Sequence, residues 1–215
     1  MTTTWNSAPN MEPAPNHLAW EHHLIVDLVE PGSRVLDLGC GEGDLLKALH
    51  IEKQVRAEGV ELSQACIQAC VAKGLFSVHH GDLDVGLAEY GDESMDYVIL
   101  TNTIQVLHRP LLLIREMARV GKRCIITFPN FGHWPLRAQL FFRGRLPKSR
   151  RLPYEWYDTP NIRLLTIRDF RAFCREAGLR VLQEIALRSS DRSGRRVRLL
   201  PNLRADAAIF VIQDV

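Results

Sequence analysis

Val35-Leu36-Asp37-Leu38-Gly39-Cys40-Gly41-Glu42-Gly43 decides how this chain is read. Val35, Leu36 and Leu38 form the apolar run of an inner parallel strand. Asp37 interrupts that run, and a carboxylate inside a strand costs free energy unless it has a task. Gly39, Gly41 and Gly43 permit a sharp turn and leave bare main chain against which a ligand can lie. A helix then starts near Asp44, for which Asp44 is a plausible cap. Strand, glycine turn and helix start together make the arrangement that cradles nucleotides.

The glycine spacing separates two ligand classes. A dinucleotide site, G-x-G-x-x-G, would need glycine at position 44, which is Asp44. The spacing is instead G-x-G-x-G, with an acidic residue in the strand just before it. This resembles motif I of class I S-adenosylmethionine-dependent methyltransferases. That cofactor has no pyrophosphate but carries a cationic amine, which suits a carboxylate beside the turn.

Working outward, residues 1–16 are rich in Thr, Asn, Ala and Pro and read as a disordered tail. Residues 17–215 read as one domain, long enough for a substantial core. Residues 17–30 have the apolar spacing of an amphipathic helix, ended by Pro31-Gly32, with His22 and His23 on its surface. The second strand ends at Glu61-Leu62, about twenty residues beyond the turn, where a carboxylate can accept both hydroxyls of a ribose. The competing role for Glu61 is to cap the next helix, 64–73, but Ser63 is the cap expected there, and the position after an apolar strand favours the ribose. A third strand leads to Gly81-Asp82-Leu83-Asp84. A fourth, 94–101, brings Thr101 to the rim of the crevice. The Thr-Asn-Thr-Ile-Gln that follows is not the Asn/Asp-Pro-Pro-aromatic stretch of enzymes that methylate base amines. The fifth strand, 123–128, completes an alternation of strands and helices that implies a mostly parallel sheet. A sixth strand is expected at 180–187, a long loop at 188–204, and a final antiparallel strand at 207–212. The fold class is thus α/β: a Rossmann-like, seven-stranded class I methyltransferase sandwich whose last strand is antiparallel.

Charge is unevenly placed although the net charge is only +2. Residues 1–136 hold 10 Lys/Arg and 17 Asp/Glu, whereas residues 137–204 hold 17 and 6. The second segment is either a solvated surface or a basic face for an acidic partner or substrate. Five cysteines without a C-x-x-C pair argue for reduced thiols and a cytoplasmic location. Cys66 and Cys70 read as small core residues, and no metal site is expected. No apolar run approaches the ~20 residues of a membrane span, and no secretory signal is evident.

Two aromatic strings are more distinctive than the glycine turn. They are Phe128-Pro129-Asn130-Phe131-Gly132-His133-Trp134 and Leu152-Pro153-Tyr154-Glu155-Trp156-Tyr157-Asp158-Thr159-Pro160-Asn161-Ile162. Loops this aromatic cover a crevice, bind a substrate or dock a protein. Together with residues 35–43 they closely resemble the methionine biosynthesis protein MetW family, over about residues 24–178. The resemblance implies a class I methyltransferase fold associated with a MetX-type homoserine O-acyltransferase as an accessory or regulatory partner. It implies S-adenosylmethionine, or S-adenosylhomocysteine, held by Asp37, Gly39, Cys40, Gly41, Gly43, Glu61, Leu62, Asp82, Leu83 and Thr101. In class I methyltransferases the Asp at the position of Asp82 binds the adenine amine, and the next apolar side chain packs on the base. Asp84 is the rival for that role. Partner or substrate contacts fall to Phe128, Asn130, His133, Trp134, Tyr154, Trp156, Tyr157 and Asn161. No residue stands out as catalytic. The alternatives are an active small-molecule methyltransferase and an RNA methyltransferase that uses the 137–204 arginines on phosphates. The interleaving of those arginines with ordinary helix and strand residues argues against nucleic acid.

Overall fold

The computed structural model describes residues 17–189 and 194–214, with side chains from residue 21 onward. The tail expected at 1–16 lies outside these residues. Helix α1 (His17–Leu28) precedes β1 (Arg34–Leu38), α2 (Asp44–Lys53), β2 (Arg56–Glu61), α3 (Gln64–Ala72) and β3 (Val78–His80). Then come β4 (Met95–Thr101), α4 (Pro110–Val120), β5 (Gly121–Pro129), α5 (Trp134–Arg143) and α6 (Ile167–Glu176). Strands β6 (Arg180–Ser189) and β7 (Gly194–Arg196), the short α7 (Pro201–Arg204) and β8 (Ala207–Gln213) complete the chain.

The strands form one sheet in the order β3-β2-β1-β4-β5-β8-β6-β7. Strands β1 to β5 are parallel, and β8 runs antiparallel between β5 and β6. The expected seven strands are therefore eight. The loop expected at 188–204 instead completes β6, adds β7 as a hairpin partner and forms α7. That region is polar and arginine-rich, so its pairing carries no apolar periodicity that a sequence reading could detect.

Alternation along the strands sorts side chains onto two faces. Leu36, Leu38, Val98, Leu100, Ile126, Phe128 and Phe210 pack beneath α4 and α6. Val35, Tyr97, Ile99, Ile125 and Ile209 pack beneath α1 and α2. Helix α6 begins with a capping box between Thr166 and Asp169, a Thr-x-x-Asp spacing. Asp44 is not a cap: Gly43 occupies that position in the left-handed conformation, and Asp44 instead pairs with Lys73 at 2.6 Å. His22 is half-buried rather than at the surface, and burial pushes its pKa down. Among the described residues, no helix is long and apolar enough to cross a membrane.

Two residues assigned to a partner loop belong to the framework. Phe128 is fully buried, with its ring 5.7 Å from Phe210 and 5.0 Å from Phe170, so it offers nothing to a partner. Asn130 is also buried. Its amide donates to Ala205 O at 2.7 Å and Asn202 O at 3.1 Å, and its Oδ1 accepts from the N–H groups of Gly132 (3.0 Å) and Ile167 (3.2 Å). It thus ties the exit of β5 to α7 and to the start of α6. Asn130→Ala leaves those groups without partners and is expected to cost about 2–4 kcal/mol by denaturant unfolding. Asn130→Asp should also be costly, because it cannot donate to the two carbonyls.

Candidate functional site

Strand order reverses between β1 and β4: from β1 the chain moves outward to β2 and β3, then returns to β4 on the other side. At such a switch point the helices diverge and leave a crevice outside the carboxyl ends of the strands. The glycine turn lies there, with Gly41 and Gly43 at φ +55° and +78°. At Gly43 a Cβ would strike Leu75 at 2.5 Å and Cys70 at 2.9 Å, so close packing of the turn demands glycine. At Gly41 a Cβ would meet nothing within 4 Å, so bare main chain faces open space. Cys70 Sγ donates to Gly41 O at 3.2 Å, and Lys73 reaches Glu42 O at 2.9 Å, bracing the turn against α3.

Glu61 closes the turn from the next strand. One oxygen accepts from Gly41 N–H at 2.9 Å and the other from Ser63 N–H at 2.8 Å. A carboxylate has about four acceptor positions, so each oxygen retains capacity for a hydroxyl. Leu62, beside it, is 60% exposed and offers an open apolar face, whereas Leu83 is buried in the core. Asp82 Oδ1 accepts from Asp84 N–H at 2.9 Å, shaping the short turn that follows β3. Asp84 is committed elsewhere: its carboxylate accepts from His108 N–H at 3.1 Å and Arg109 N–H at 2.6 Å, holding the approach to α4. Cys40 is buried, and burial and the neighbouring Asp37 push its thiol pKa up, so it acts as packing rather than as a nucleophile.

The exit of β4 adds Asn102 and Gln105 to the surroundings of Thr101. Asn102 adopts φ +50°, and its N–H donates to Thr127 O and Oγ1 at 3.1 and 3.0 Å. Its Nδ2 donates to Glu21 Oε2 at 3.3 Å. Gln105 Nε2 donates to Asn102 O at 2.5 Å. The side-chain oxygens of Thr101 and Gln105 are buried without hydrogen-bond partners. An Asn flanked by threonines at a strand exit is a visible signal for a left-handed turn. Glu21 has no local signal, because only the docking of α1 on the sheet brings it here.

The segment 144–166 is held down by a buried ion network. Arg151 reaches Glu21 Oε1 at 2.5 Å and Asp206 Oδ1 at 3.3 Å, with both acidic partners and the guanidinium largely removed from water. Ser189 Oγ lies 3.1 Å from Arg151 Nε and 3.2 Å from Asp206 Oδ1. Gln139 on α5 exchanges hydrogen bonds with the backbone of Lys148, and Lys148 pairs with Glu155. Above this anchored layer Trp134, Trp156 and Tyr157 are exposed, Trp156 at 72%, with Trp156 and Tyr157 edge-to-face at 5.6 Å. Phe141 and Phe142 on α5 are also exposed, at 82% and 81%, with their rings edge-to-face at 5.0 Å. His133 precedes α5 half-buried with Nε2 unpartnered, and Tyr154 and Asn161 are likewise half-buried in the anchored layer.

Asp37 is 2% exposed, and its Oδ1 has no hydrogen-bond partner. Burial, then the charge of Glu61, pushes its carboxyl up to about 7. Between about pH 4 and that value the folded protein holds a proton that the unfolded chain has lost. Stability therefore falls as pH rises through this window, and the cost is fully present above it. Asp37→Asn, similar in shape but uncharged, is expected to stabilise the ligand-free protein by about 1–3 kcal/mol near pH 8 and to change little near pH 4. Denaturant unfolding at the two pH values checks both the sign and the window.

Known proteins share this fold. An S-adenosylmethionine-dependent methyltransferase from Archaeoglobus fulgidus has the same fold, with a TM-score of 0.67 at 15% identity over 92% of this chain and 93% of that one. A second, from Thermotoga maritima, gives 0.64 at 15% identity, covering 93% and 90%. The [4+2]-cyclase SpnF gives 0.62 at 16% identity, covering 91% and 80%, so the fold alone does not dictate methyl transfer. The bifunctional methionine biosynthesis protein MetXA/MetW of Rhodopirellula baltica is 35% identical over 201 residues, 88% of this chain. The chain spans about a third of that relative's length, 32%. The model of the methionine biosynthesis protein MetW family matches residues 20–212, from α1 to the last strand. With that match spanning both the glycine turn and the aromatic strings, this chain belongs to the MetW family of methionine biosynthesis proteins.

Proposed function

We propose that this protein binds S-adenosylmethionine or S-adenosylhomocysteine in the crevice between β1 and β4 and acts in the cytoplasm as an accessory, regulatory partner of a MetX-type homoserine O-acyltransferase. The observation that carries the partner is the Rhodopirellula baltica relative, named for a MetXA and a MetW part in one chain. Covalent fusion holds two parts at high effective concentration, which is useful where the separate proteins must meet. The exposed aromatic face of α5 and the 144–166 segment suits such a contact, since Trp, Tyr and Phe are enriched where interfaces form.

The crevice fits the cofactor on two independent features. Open space at Gly41 leaves room for a ligand against main chain, and the unpartnered buried carboxylate of Asp37 complements a cationic amine. Asp37 would hold the amino-acid end, Glu61 the ribose hydroxyls, and Asp82 and Leu62 the base. Gly39, Cys40, Gly43, Leu83 and Thr101 shape the walls around them. The cofactor's own chemistry is an electrophilic methyl group. The residues here bind and orient, and none is placed as a base. Regulation then follows from linkage: a ligand that favours one arrangement of the anchored segment shifts partner affinity by the same coupling free energy.

A second reading, methyl transfer to a small acceptor, draws on the unpartnered oxygens of Thr101 and Gln105 at the crevice rim. Turnover of the cofactor with a defined acceptor, without any acyltransferase, would favour it.

Three outcomes test the leading reading. Calorimetry should show S-adenosylmethionine binding weakened by about 1–3 kcal/mol in each of Asp37→Ala and Glu61→Ala, and affinity rising from pH 6 to 8 as Asp37 ionises. Unchanged affinity in both variants would remove the crevice from consideration. Co-purification with the acyltransferase of the same cell should fall at least tenfold in Trp156→Ala/Tyr157→Ala with thermal stability unchanged. An acyltransferase that is fully active without this protein and does not associate with it when both are present would refute the partnership.

A further inference from the structure

The arginine-rich stretch after β6 has no part in the crevice or in the aromatic face, yet it is built into a defined concavity. Arg188, Arg195, Arg196, Arg198 and Arg204, with Leu199 among them, line a space of about 340 Å³. It lies on the edge of the sheet, four strand spacings beyond β4, or roughly 20 Å from the exit of that strand. It is therefore separate from the glycine turn.

Three observations distinguish it from a solvated basic surface. First, the β6–β7 register sets Arg188 directly opposite Arg195. Like charges in that position repel and destabilise the pair. Secondly, among the described residues none of the five arginines has an ion-pair partner, whereas Arg119, Arg123, Arg151 and Arg171 all do. The nearby carboxylates are already engaged, Asp206 with Arg151 and Glu184 with Arg171. Thirdly, the supports are rigid. Val197 N–H donates to Ala186 O at 2.7 Å, Val197 packs on the core, and Arg204 sits on α7, which Asn130 ties to the exit of β5. Five exposed guanidinium groups on a tied-down backbone, with no anion from the described residues between them, suit a ligand that brings several negative charges. Their planar donor forks match phosphate oxygens in particular.

We propose that this concavity is a binding site for a small ligand carrying two or more phosphates, with Leu199 against its organic portion. The volume falls within the range of small-molecule sites. The phosphates could belong to a free organic polyphosphate or to a phosphorylated lipid headgroup, both of which present the same anions to the arginines.

Inorganic triphosphate is the first probe, because it has no adenosine to enter the glycine-turn crevice. Calorimetry on the full chain should show saturable binding at one site, weakened at least tenfold in Arg195→Thr/Arg198→Ser. The ligand-free single variant Arg195→Thr should melt at a higher temperature than the parent, since it relieves the opposed charges, and should lose most of the further rise produced by triphosphate. Vesicles of phosphatidylcholine with and without phosphatidylinositol bisphosphate separate the two sources. Capture by the bisphosphate vesicles, reversed by triphosphate, assigns the headgroup, and no capture assigns the free ligand. The proposal is overturned by triphosphate binding that the double variant leaves intact, or by no binding at all. It is equally overturned if a single-stranded RNA oligonucleotide binds tightly while triphosphate does not compete, which would make the patch a nucleic-acid track.

Discussion

Arg151 carries its guanidinium into a space that water barely reaches and meets Glu21, Ser189 and Asp206 there. These residues come from the first helix, the end of β6 and the entry to β8, and Arg151 itself from the segment after α5. Such a network adds little net stability, because desolvating the charges offsets their attraction. It adds specificity instead: withdrawing any one member strands a buried charge at about 3–5 kcal/mol, so alternative placements of the segment are strongly disfavoured. Through Glu21 the same network reaches Asn102 and hence the exit of β4. One set of buried charges thus ties the 144–166 segment to the end of β4.

The crevice is organised in the opposite sense, with polar groups left incomplete. Asp37 lies between Gly59 and Ile99 in adjacent strands and has no partner for one oxygen. Its environment penalises its charge, so the ligand-free protein holds it near the midpoint of its titration at neutral pH. A sequence optimised only for folding would place an apolar side chain there. Retaining the carboxylate costs stability and leaves a buried oxygen without a hydrogen-bond partner beside the glycine turn. At Gly41, any side chain would occupy the space that the main chain leaves open.

Membership of the MetW family and the fold of class I methyltransferases do not decide what the crevice is for. A neighbour named for a cyclization has the same architecture. Beyond the crevice, Gln139, Lys148 and Glu155 fasten α5 and the segment after it, and Trp134, Phe141, Phe142, Trp156 and Tyr157 remain exposed. Five arginines on the far edge of the sheet add a second unsatisfied surface of different chemistry.

The parallel sheet, the glycine turn, the acidic residue at the end of β2 and the Thr-x-x-Asp start of α6 are legible from residue spacing alone. Each rests on local spacing, and local spacing survives in any tertiary context that keeps the element. Phe128 and Asn130 show the limit: both lie in a distinctive aromatic string, yet one is core and the other a buried tie between loops. Which aromatic rings are free, why Leu62 rather than Leu83 is open, and how Glu21 and Arg151 come to meet follow from the packing of distant elements. That packing also turned an arginine-rich stretch without periodicity into a strand, a short helix and a walled concavity. These outcomes depend on which elements pack across the sheet. Burial and pairing between residues far apart in the chain are set by that packing, and no local pattern encodes them.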